Sequence, residues 1–216
     1  MGFRNREHAA RQLVDQLRPF LADRNPLIMG IPQGAVPMAR IIADVLAGEL
    51  DVVLVRKLGH PDQPEFAIGA IDESGNAFLK DWACETAPAY LEREKARQVA
   101  ILRERRARYA PLRAAIDPSD RLVIVVDDGT ATGSTMTAAL RAVRARNPEK
   151  LIAAVAVASS TAARAIVPEC DAVVCLRVTD NFFAVGQFFD DFTQVSDHDV
   201  IAALRKSDSF VSTFPA

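Results

Sequence analysis

Residues 122–136 read LVIVVDDGTATGSTM, and this stretch decides the fold. Its first part, residues 122–126, is apolar and mostly β-branched, which is typical of a buried strand. Two adjacent carboxylates, Asp127 and Asp128, follow this strand, and an Ala-rich helical segment begins a few residues later. The turn between the two acids and the helical segment consists of Gly129, Thr130, Ala131, Thr132, Gly133, Ser134 and Thr135. The stretch therefore predicts a strand that ends in acids and a helix that begins at a turn of small residues.

This turn has the composition of a phosphate-binding site. Consecutive backbone N–H groups and the N-terminus of a helix point at an anion, and Thr and Ser hydroxyls add further donors. Asp127 and Asp128 cannot contact the phosphate themselves, because like charges repel. They are suited to accept hydrogen bonds from hydroxyls, such as the diol of a ribose next to its 5′-phosphate. Taken alone, the acid pair is also compatible with a metal site or with a solvated strand end.

The whole string VVDDGTATGSTM resembles the phosphoribosyl-pyrophosphate signature of the type I phosphoribosyltransferases. The resemblance implies that Asp127 and Asp128 hold the ribose hydroxyls and stabilise a cationic transition state. It also implies that residues 129–135 bind the 5′-phosphate. The reaction of that family displaces pyrophosphate from C1 of phosphoribosyl pyrophosphate by a nitrogen of a base. Mg²⁺ is implied as well, held mostly by substrate oxygens and water.

The order of the predicted elements indicates a parallel sheet. A helix over residues 7–21 precedes a short strand at 27–29, a helix that starts near Pro37, and a strand at 52–55. Further strands are predicted at 151–158 and 172–178, after the strand that ends in the acid pair. Because strands and helices alternate, we expect an α/β fold. The prediction is a Rossmann-like parallel five-stranded sheet flanked by helices, as in the family that the signature resembles.

Two other stretches are predicted to reach the carboxyl edge of this sheet, where α/β folds bind ligands. Residues 30–35 read GIPQGA and resemble the pyrophosphate loop of that family, which assigns Pro32, Gln33 and Gly34 to substrate binding. The resemblance further predicts a cis Pro32–Gln33 peptide bond. A basic residue is common in the family where Gln33 stands. Arg56 and Lys57 would supply the missing charge, with Arg56 in a catalytic role at the departing diphosphate.

After the second predicted core strand, the alternation of core strands and helices is interrupted. Residues 66–71 and 77–79 predict a β-hairpin, and a long helix follows Pro88. The apolar stripe of this helix contains Leu91, Val99, Leu102, Tyr109 and Leu112. We therefore divide the chain into a core of residues 1–57 and 119–216, which includes a C-terminal hood, and an inserted α+β lobe of residues 58–118. In the resembling family, a mobile loop at this place closes over the active site.

The opposite face of the long helix is basic, which leaves a second function open. Its cations are Arg93, Lys95, Arg97, Arg103, Arg105, Arg106, Arg108 and Arg113. Interleaved glutamates and the lack of an aromatic ladder favour a solvated face over a nucleic-acid interface. The alternative function is a regulator that senses phosphoribosyl pyrophosphate and binds nucleic acid through this helix.

Residues 179–192 contain five phenylalanines beside glycine and acids, in a chain with only 6% aromatic residues. They could form a stacking platform for a flat heterocycle or a plug in the core. The pattern Phe183-x-Val185-Gly resembles the hood of hypoxanthine/guanine-type phosphoribosyltransferases, with Asp190 as the acid that reads the base. Ala131, however, stands where those enzymes carry an aspartate general base. The acceptor therefore stays open.

Composition and charge exclude several other classes. The net charge of −2 over 216 residues gives no global attraction to nucleic acid or to an anionic membrane. We predict neither a spanning helix nor a signal peptide. Cys84, Cys170 and Cys175 lack zinc-ligand spacing and cannot all pair, which favours a reduced, cytoplasmic setting. The expected partners are phosphoribosyl pyrophosphate and a small-molecule acceptor, and a homo-oligomer is left open.

Overall fold

The computed structural model describes residues 2–21, 25–63, 66–80, 83, 86–109 and 115–205. The strands within these ranges are β1 (Leu27–Gly30), β2 (Glu49–Val52), β3 (Val55–Gly59), β4 (Ala67–Asp72), β5 (Ala77–Leu79), β6 (Leu122–Asp127), β7 (Lys150–Ser159) and β8 (Ala172–Thr179). The helices are α1 (Arg6–Leu17), α2 (Val36–Val45), α3 (Pro88–Tyr109), α4 (Ser134–Arg144), α5 (Ser160–Ile166) and α6 (Asp197–Arg205). Helix α1 ends earlier than predicted, because Pro19 has no N–H group to continue it.

Five of these strands form the main sheet, in the order β2-β1-β6-β7-β8, and all neighbours are parallel. The predicted α/β fold with a five-stranded parallel sheet is thus confirmed. Strand β6 lies at the centre, and every one of its residues is buried. Its side chains alternate between two cores. Leu122, Ile124 and Val126 pack in the layer of α1 and α2, whereas Val123 and Val125 pack against α4.

The predicted strand over residues 52–55 is wrong in its extent. Strand β2 ends at Val52, and Val55 begins β3, which pairs with β4 in a separate antiparallel sheet of order β3-β4-β5. Arg56 and Lys57 therefore lie inside the second sheet and not at the carboxyl end of a core strand. Val53 and Leu54 connect the two strands and are themselves buried. The sequence is consequently apolar across the junction and shows no break there.

The second sheet and α3 pack together, and the sheet contacts α4. An ion cluster ties this lobe to the core: Arg106 donates from Nη1 to Asp51 Oδ1 (2.9 Å) and from Nη2 to Glu73 Oε1 (2.5 Å). The assignment of Arg106 to a solvated helix face was wrong, since its side chain is only 15% exposed. Leu112 and Arg113 lie outside the described residues. The division of the chain at residues 58 and 118 stays a prediction.

Within the described ranges, no helix is long and apolar enough to cross a membrane. Cys170 and Cys175 are free thiols, and burial raises the pKa of both. Cys84 lies outside the described residues.

Candidate functional site

A cavity of about 430 Å³ opens at the carboxyl ends of β1 and β6, and we refer to it as the acid cavity. Its walls are residues 31–34 after β1, then Asp127, Asp128, Gly129 and Thr135 after β6, and finally Arg6, Phe192, Gln194 and Val195. The two loops after neighbouring parallel strands therefore meet as the topology requires. The structure brings the predicted acid pair and the predicted pyrophosphate loop to one place.

Both carboxylates of the pair are nearly buried, with Asp127 9% and Asp128 8% exposed. Asp127 Oδ1 accepts a hydrogen bond from the backbone N–H of Asp128 (3.0 Å). Burial, and then the charge of Asp128, raise the pKa of Asp127 well above its ordinary value. Burial also raises the pKa of Asp128, and the hydrogen bond from Arg6 opposes that rise. A pair of this kind favours hydroxyl donors or a centre that becomes positively charged.

Arg6 is the cation of the acid cavity, and the sequence-based interpretation missed it. Its Nε donates to Asp128 Oδ2 (2.8 Å) and its Nη1 donates to the carbonyl of Thr193 (2.7 Å). The guanidinium carbon lies 3.8 Å from the centre of the Phe192 ring. Arg6 thereby joins the first turn of α1 to the acid pair and to the C-terminal segment.

The loop after β1 contacts the acid pair very closely. The Pro32–Gln33 peptide bond is cis, as the resemblance predicts. A Cβ atom on residue 34 would lie 3.0 Å from Asp128 Cγ and closer still to a carboxylate oxygen. Only glycine leaves room for the carboxylate here. The side chain of Gln33 donates to Asp197 Oδ1 (2.7 Å), and this hydrogen bond is the main reason that the pKa of Asp197 is lowered.

The turn after the acid pair is fastened to the end of β7. Thr130 N–H donates to the carbonyl of Val157 (2.9 Å), and Ser159 N–H donates to the carbonyl of Thr130 (3.1 Å). Thr130 Oγ1 accepts from Gly133 N–H (3.0 Å), and Gly133 has a φ of +77° that favours glycine. Helix α4 begins at Ser134, directly after this glycine. The predicted arrangement of strand, small-residue turn and helix N-terminus is therefore present.

The remaining members of the turn face outward. Ala131, Thr132, Ser134 and Thr135 are exposed, and the hydroxyls of Thr132 and Ser134 lie 3.0 Å apart. Thr135 contributes to the walls of two cavities, the acid cavity and a larger one on the other side of the turn. The turn thus separates two spaces in the protein.

The five phenylalanines differ in burial. Phe188 and Phe189 are buried in the core, whereas the side chain of Phe183 is 87% exposed. Phe192 lines the acid cavity, and Phe182 is half-buried against Phe188. Burial was therefore the correct interpretation for some of these rings only.

The hood residues chosen from the sequence, Phe183, Val185 and Asp190, are not among the residues that line the acid cavity. Val185 packs on the signature, since a Cβ atom on Gly129 would lie 2.6 Å from Val185 Cγ1. Asp190 donates its backbone N–H to the carbonyl of Phe3 (2.8 Å), and its side chain is exposed. Roles for Phe183, Val185 and Asp190 in binding an acceptor stay predictions. The sequence-based choice also missed Gln194 and Val195 on the wall.

Arg56 and Lys57 line the larger cavity, which has a volume of about 800 Å³ and lies between the second sheet and α4. We refer to it as the lobe cavity. Arg56 Nε donates to Gln98 Oε1 (2.5 Å), and Gln98 in turn donates to Glu94 Oε1 (2.7 Å). The structure therefore does not bring Arg56 and Lys57 to the walls of the acid cavity. Among the described lining residues, Thr135 is shared by the lobe cavity and the acid cavity.

The basic face of α3 is largely neutralised within the protein. Lys95 pairs with Glu92, Arg97 with Glu94, and Arg108 with both Glu104 and Asp197. The side chain of Arg106 is only 15% exposed and pairs with Asp51, so four cations of this face are already paired within the protein. The part of the chain that the structure describes offers no observation in favour of the nucleic-acid-binding alternative.

Comparison with known proteins agrees with this geometry. The family profile of the phosphoribosyl transferase domain matches residues 3–193. A Mycobacterium tuberculosis protein that carries the name "Putative phosphoribosyl transferase" is 38% identical over 208 residues. That alignment covers 95% of this chain and 47% of the mycobacterial protein. The chain thus spans about half the length of the curated relatives it matches.

Solved structures show the same architecture. The protein TT1426 from Thermus thermophilus is 44% identical, with a TM-score of 0.87 over 95% of this chain and 99% of that one. A purine phosphoribosyltransferase from Pyrococcus horikoshii is 16% identical, with a TM-score of 0.50 over 88% of this chain and 93% of that one, and it shares the fold alone. Because the family profile spans nearly all of it, the chain belongs to the phosphoribosyl transferase domain family.

Proposed function

We propose that the protein transfers the ribose 5-phosphate group of phosphoribosyl pyrophosphate to a nucleobase-like acceptor and releases pyrophosphate. One observation carries this proposal. Two nearly buried carboxylates, Asp127 and Asp128, share a cavity with the loop at residues 32–34 and stand directly before a turn at a helix N-terminus. Burying two acids side by side is costly unless a ligand satisfies them. Family membership supports the transferase class.

The ribose hydroxyls would donate hydrogen bonds to Asp127 and Asp128, and the 5′-phosphate would bind at the turn. The N–H groups of Thr130 and Gly133 already have partners within the protein. We therefore assign the phosphate to the backbone of residues 131, 132 and 135, with the hydroxyls of Thr132, Ser134 and Thr135 as further donors. The N-terminus of α4 adds a favourable field for the anion.

In the reaction, the bond from C1 to the diphosphate oxygen breaks, and its electron pair leaves with the diphosphate. A nitrogen of the acceptor forms the new bond to C1, which carries positive charge in between. The negative acid pair, which is itself nearly buried, stabilises that charge. The loop at residues 32–34 would hold the diphosphate through its backbone. A contribution of Arg56 and Lys57 to the leaving group stays a prediction from the resemblance.

The family's Mg²⁺ fits this donor set. In such sites Mg²⁺ is held by one or two carboxylates together with substrate phosphates and water, and Asp127 and Asp128 are carboxylates of that kind. When bound, the ion would neutralise charge on the diphosphate. The acceptor would enter between Phe192 and the hood segment at residues 183–190. The guanidinium group of Arg6 stacks on the Phe192 ring at this place.

Calorimetric titration of phosphoribosyl pyrophosphate with Mg²⁺ tests donor binding directly. The double variant Asp127→Asn/Asp128→Asn keeps the shape of the site and removes its charge. We expect its affinity to fall at least about tenfold, since one charge-assisted hydrogen bond contributes about 1.5–3 kcal/mol. Asp15→Asn is the matched control, because that carboxylate is 76% exposed on α1. Equal affinities in all three proteins would refute the proposal.

A further inference from the structure

The side chain of Arg56 is held through its Nε atom. This nitrogen donates to Gln98 Oε1 (2.5 Å), and within the described part of the chain neither Nη nitrogen makes a hydrogen bond. The backbone of Arg56 is fixed as well, since Arg56 is the cross-strand partner of Ile71 in the second sheet. A guanidinium group that is held at Nε keeps its two Nη groups in one direction. Such a fork can bind a phosphate group through two parallel hydrogen bonds.

The amide of Gln98 can make this contact in one orientation only. Its Nε2 donates to Glu94 Oε1 (2.7 Å). Arg97 donates to both oxygens of Glu94 (2.8 and 2.9 Å), and this contact, opposed by burial, lowers the pKa of Glu94. An ionised carboxylate only accepts hydrogen bonds and a guanidinium group only donates them. The amide nitrogen of Gln98 must therefore face Glu94, and its oxygen must face Arg56.

Glu94 and Gln98 are buried although they belong to a polar helix. They are 6% and 4% exposed, and their spacing of four places them on the same face of α3. Glutamate and glutamine are rarely buried unless they are paired. Burial also strengthens the contact with Arg56, because it keeps competing water away. This face of α3 therefore holds the guanidinium group of Arg56 in place.

We propose that Gln98 is a positioning residue that directs the Nη groups of Arg56 towards the diphosphate of phosphoribosyl pyrophosphate. Arg56 lines the lobe cavity together with Thr132, Ser134 and Thr135, to which we assign the 5′-phosphate of the same donor. The inference rests on the proposed function and adds a role for α3, which would act on the donor through Arg56.

Inorganic pyrophosphate with Mg²⁺ is the probe, because its binding requires no acceptor. We propose calorimetric titration of the full chain and of the variants Gln98→Met, Arg56→Ala and the double variant. Methionine is of similar length to glutamine but offers Arg56 only a weak acceptor. Gln16→Met is the matched control, since this glutamine is exposed on helix α1. All proteins are also melted thermally.

We expect Gln98→Met to weaken pyrophosphate binding about tenfold and Gln16→Met to leave it unchanged. Arg56→Ala should weaken it at least as much. The double variant should bind as Arg56→Ala does, because Gln98 acts through Arg56 and the two effects are then not additive.

A residue with a purely structural role would lower the melting temperature and leave the affinity for pyrophosphate unchanged. That result, a further loss of affinity in the double variant, or no binding of pyrophosphate to the wild type would overturn the inference. If Gln98→Met does not fold, Glu94→Gln undergoes the same test, because it removes the charge that orients the amide. If the expected pattern is found but no base is converted, the transfer reaction is refuted and the positioning of Arg56 stands.

Discussion

Replacement of Arg6 by glutamine is expected to shift the pH dependence of donor binding. Arg6 and Asp128 are 13% and 12% exposed, and their 2.8 Å contact opposes the rise in the pKa of Asp128 that burial causes. Removal of a charge-assisted hydrogen bond costs about 1.5–3 kcal/mol. The pKa of Asp128 should therefore rise further in Arg6→Gln, because the hydrogen bond and the positive charge that oppose the rise are removed. A protonated carboxyl group no longer attracts a positively charged centre. As the pH is lowered, Arg6→Gln should therefore lose the donor at a higher pH than the wild type does.

Calorimetric titrations of phosphoribosyl pyrophosphate between pH 5 and 9 measure this shift. Arg6→Lys keeps the positive charge and should bring the profile back towards that of the wild type. Arg11→Gln is the control, because its pair with Glu7 is more than half exposed on both sides and contributes little. If Arg6→Gln binds the donor with the wild-type pH profile, Arg6 does not set the charge of Asp128 and this part of the account is wrong.

Three further predictions concern the same site. Folding raises the pKa of Asp127, so the folded protein binds more protons than the unfolded chain above about pH 4, and stability declines as the pH rises from there. Asp127→Asn should therefore raise the melting temperature at pH 8 by at least about 2–4 °C, with a smaller gain near pH 4; a loss of stability at pH 8 would contradict this. Gly133→Val should abolish donor binding, because the residue has φ +77° and a Cβ there would lie 3.1 Å from the carbonyl of Ala162; unchanged affinity in titration would refute it. Arg56→Ala should slow pyrophosphate release about tenfold or more. Gln33→Ala leaves the loop backbone in place and should slow the release far less. If a release assay shows the larger loss of rate in Gln33→Ala, Arg56 does not act at the leaving group.

The centre of the fold could be predicted from the sequence because its signals are local. Strand β6 is a continuous apolar run, and its buried residues fill cores on both faces of the sheet. The turn after it must use glycine where φ is positive, at Gly133, and where the hood packs closely, at Gly129. Each of these constraints acts within a few residues and therefore leaves a recognisable pattern.

The remaining features depend on contacts between distant segments. Arg6 and Asp128 are 122 positions apart, and nothing in the polar N-terminal sequence distinguishes Arg6 from the neighbouring arginines. Phe192 rather than Phe183 faces the acid cavity, because the N-terminal segment pairs with residues 188–191 and fixes their direction. The strand that carries Arg56 was predicted wrongly, because buried Val53 hides the change from one sheet to the other.

We propose that the acid pair and the turn at residues 129–135 bind the donor whose ribose 5-phosphate is transferred, and pyrophosphate release tests this proposal most directly. The assay combines the protein with phosphoribosyl pyrophosphate, Mg²⁺ and a panel of purine and pyrimidine bases. We expect release with at least one base, and a rate lower by about one to two orders of magnitude in Asp128→Asn, with a smaller effect on donor affinity. No release with any base, or an unchanged rate when both Asp127 and Asp128 are replaced by asparagine, would contradict the account.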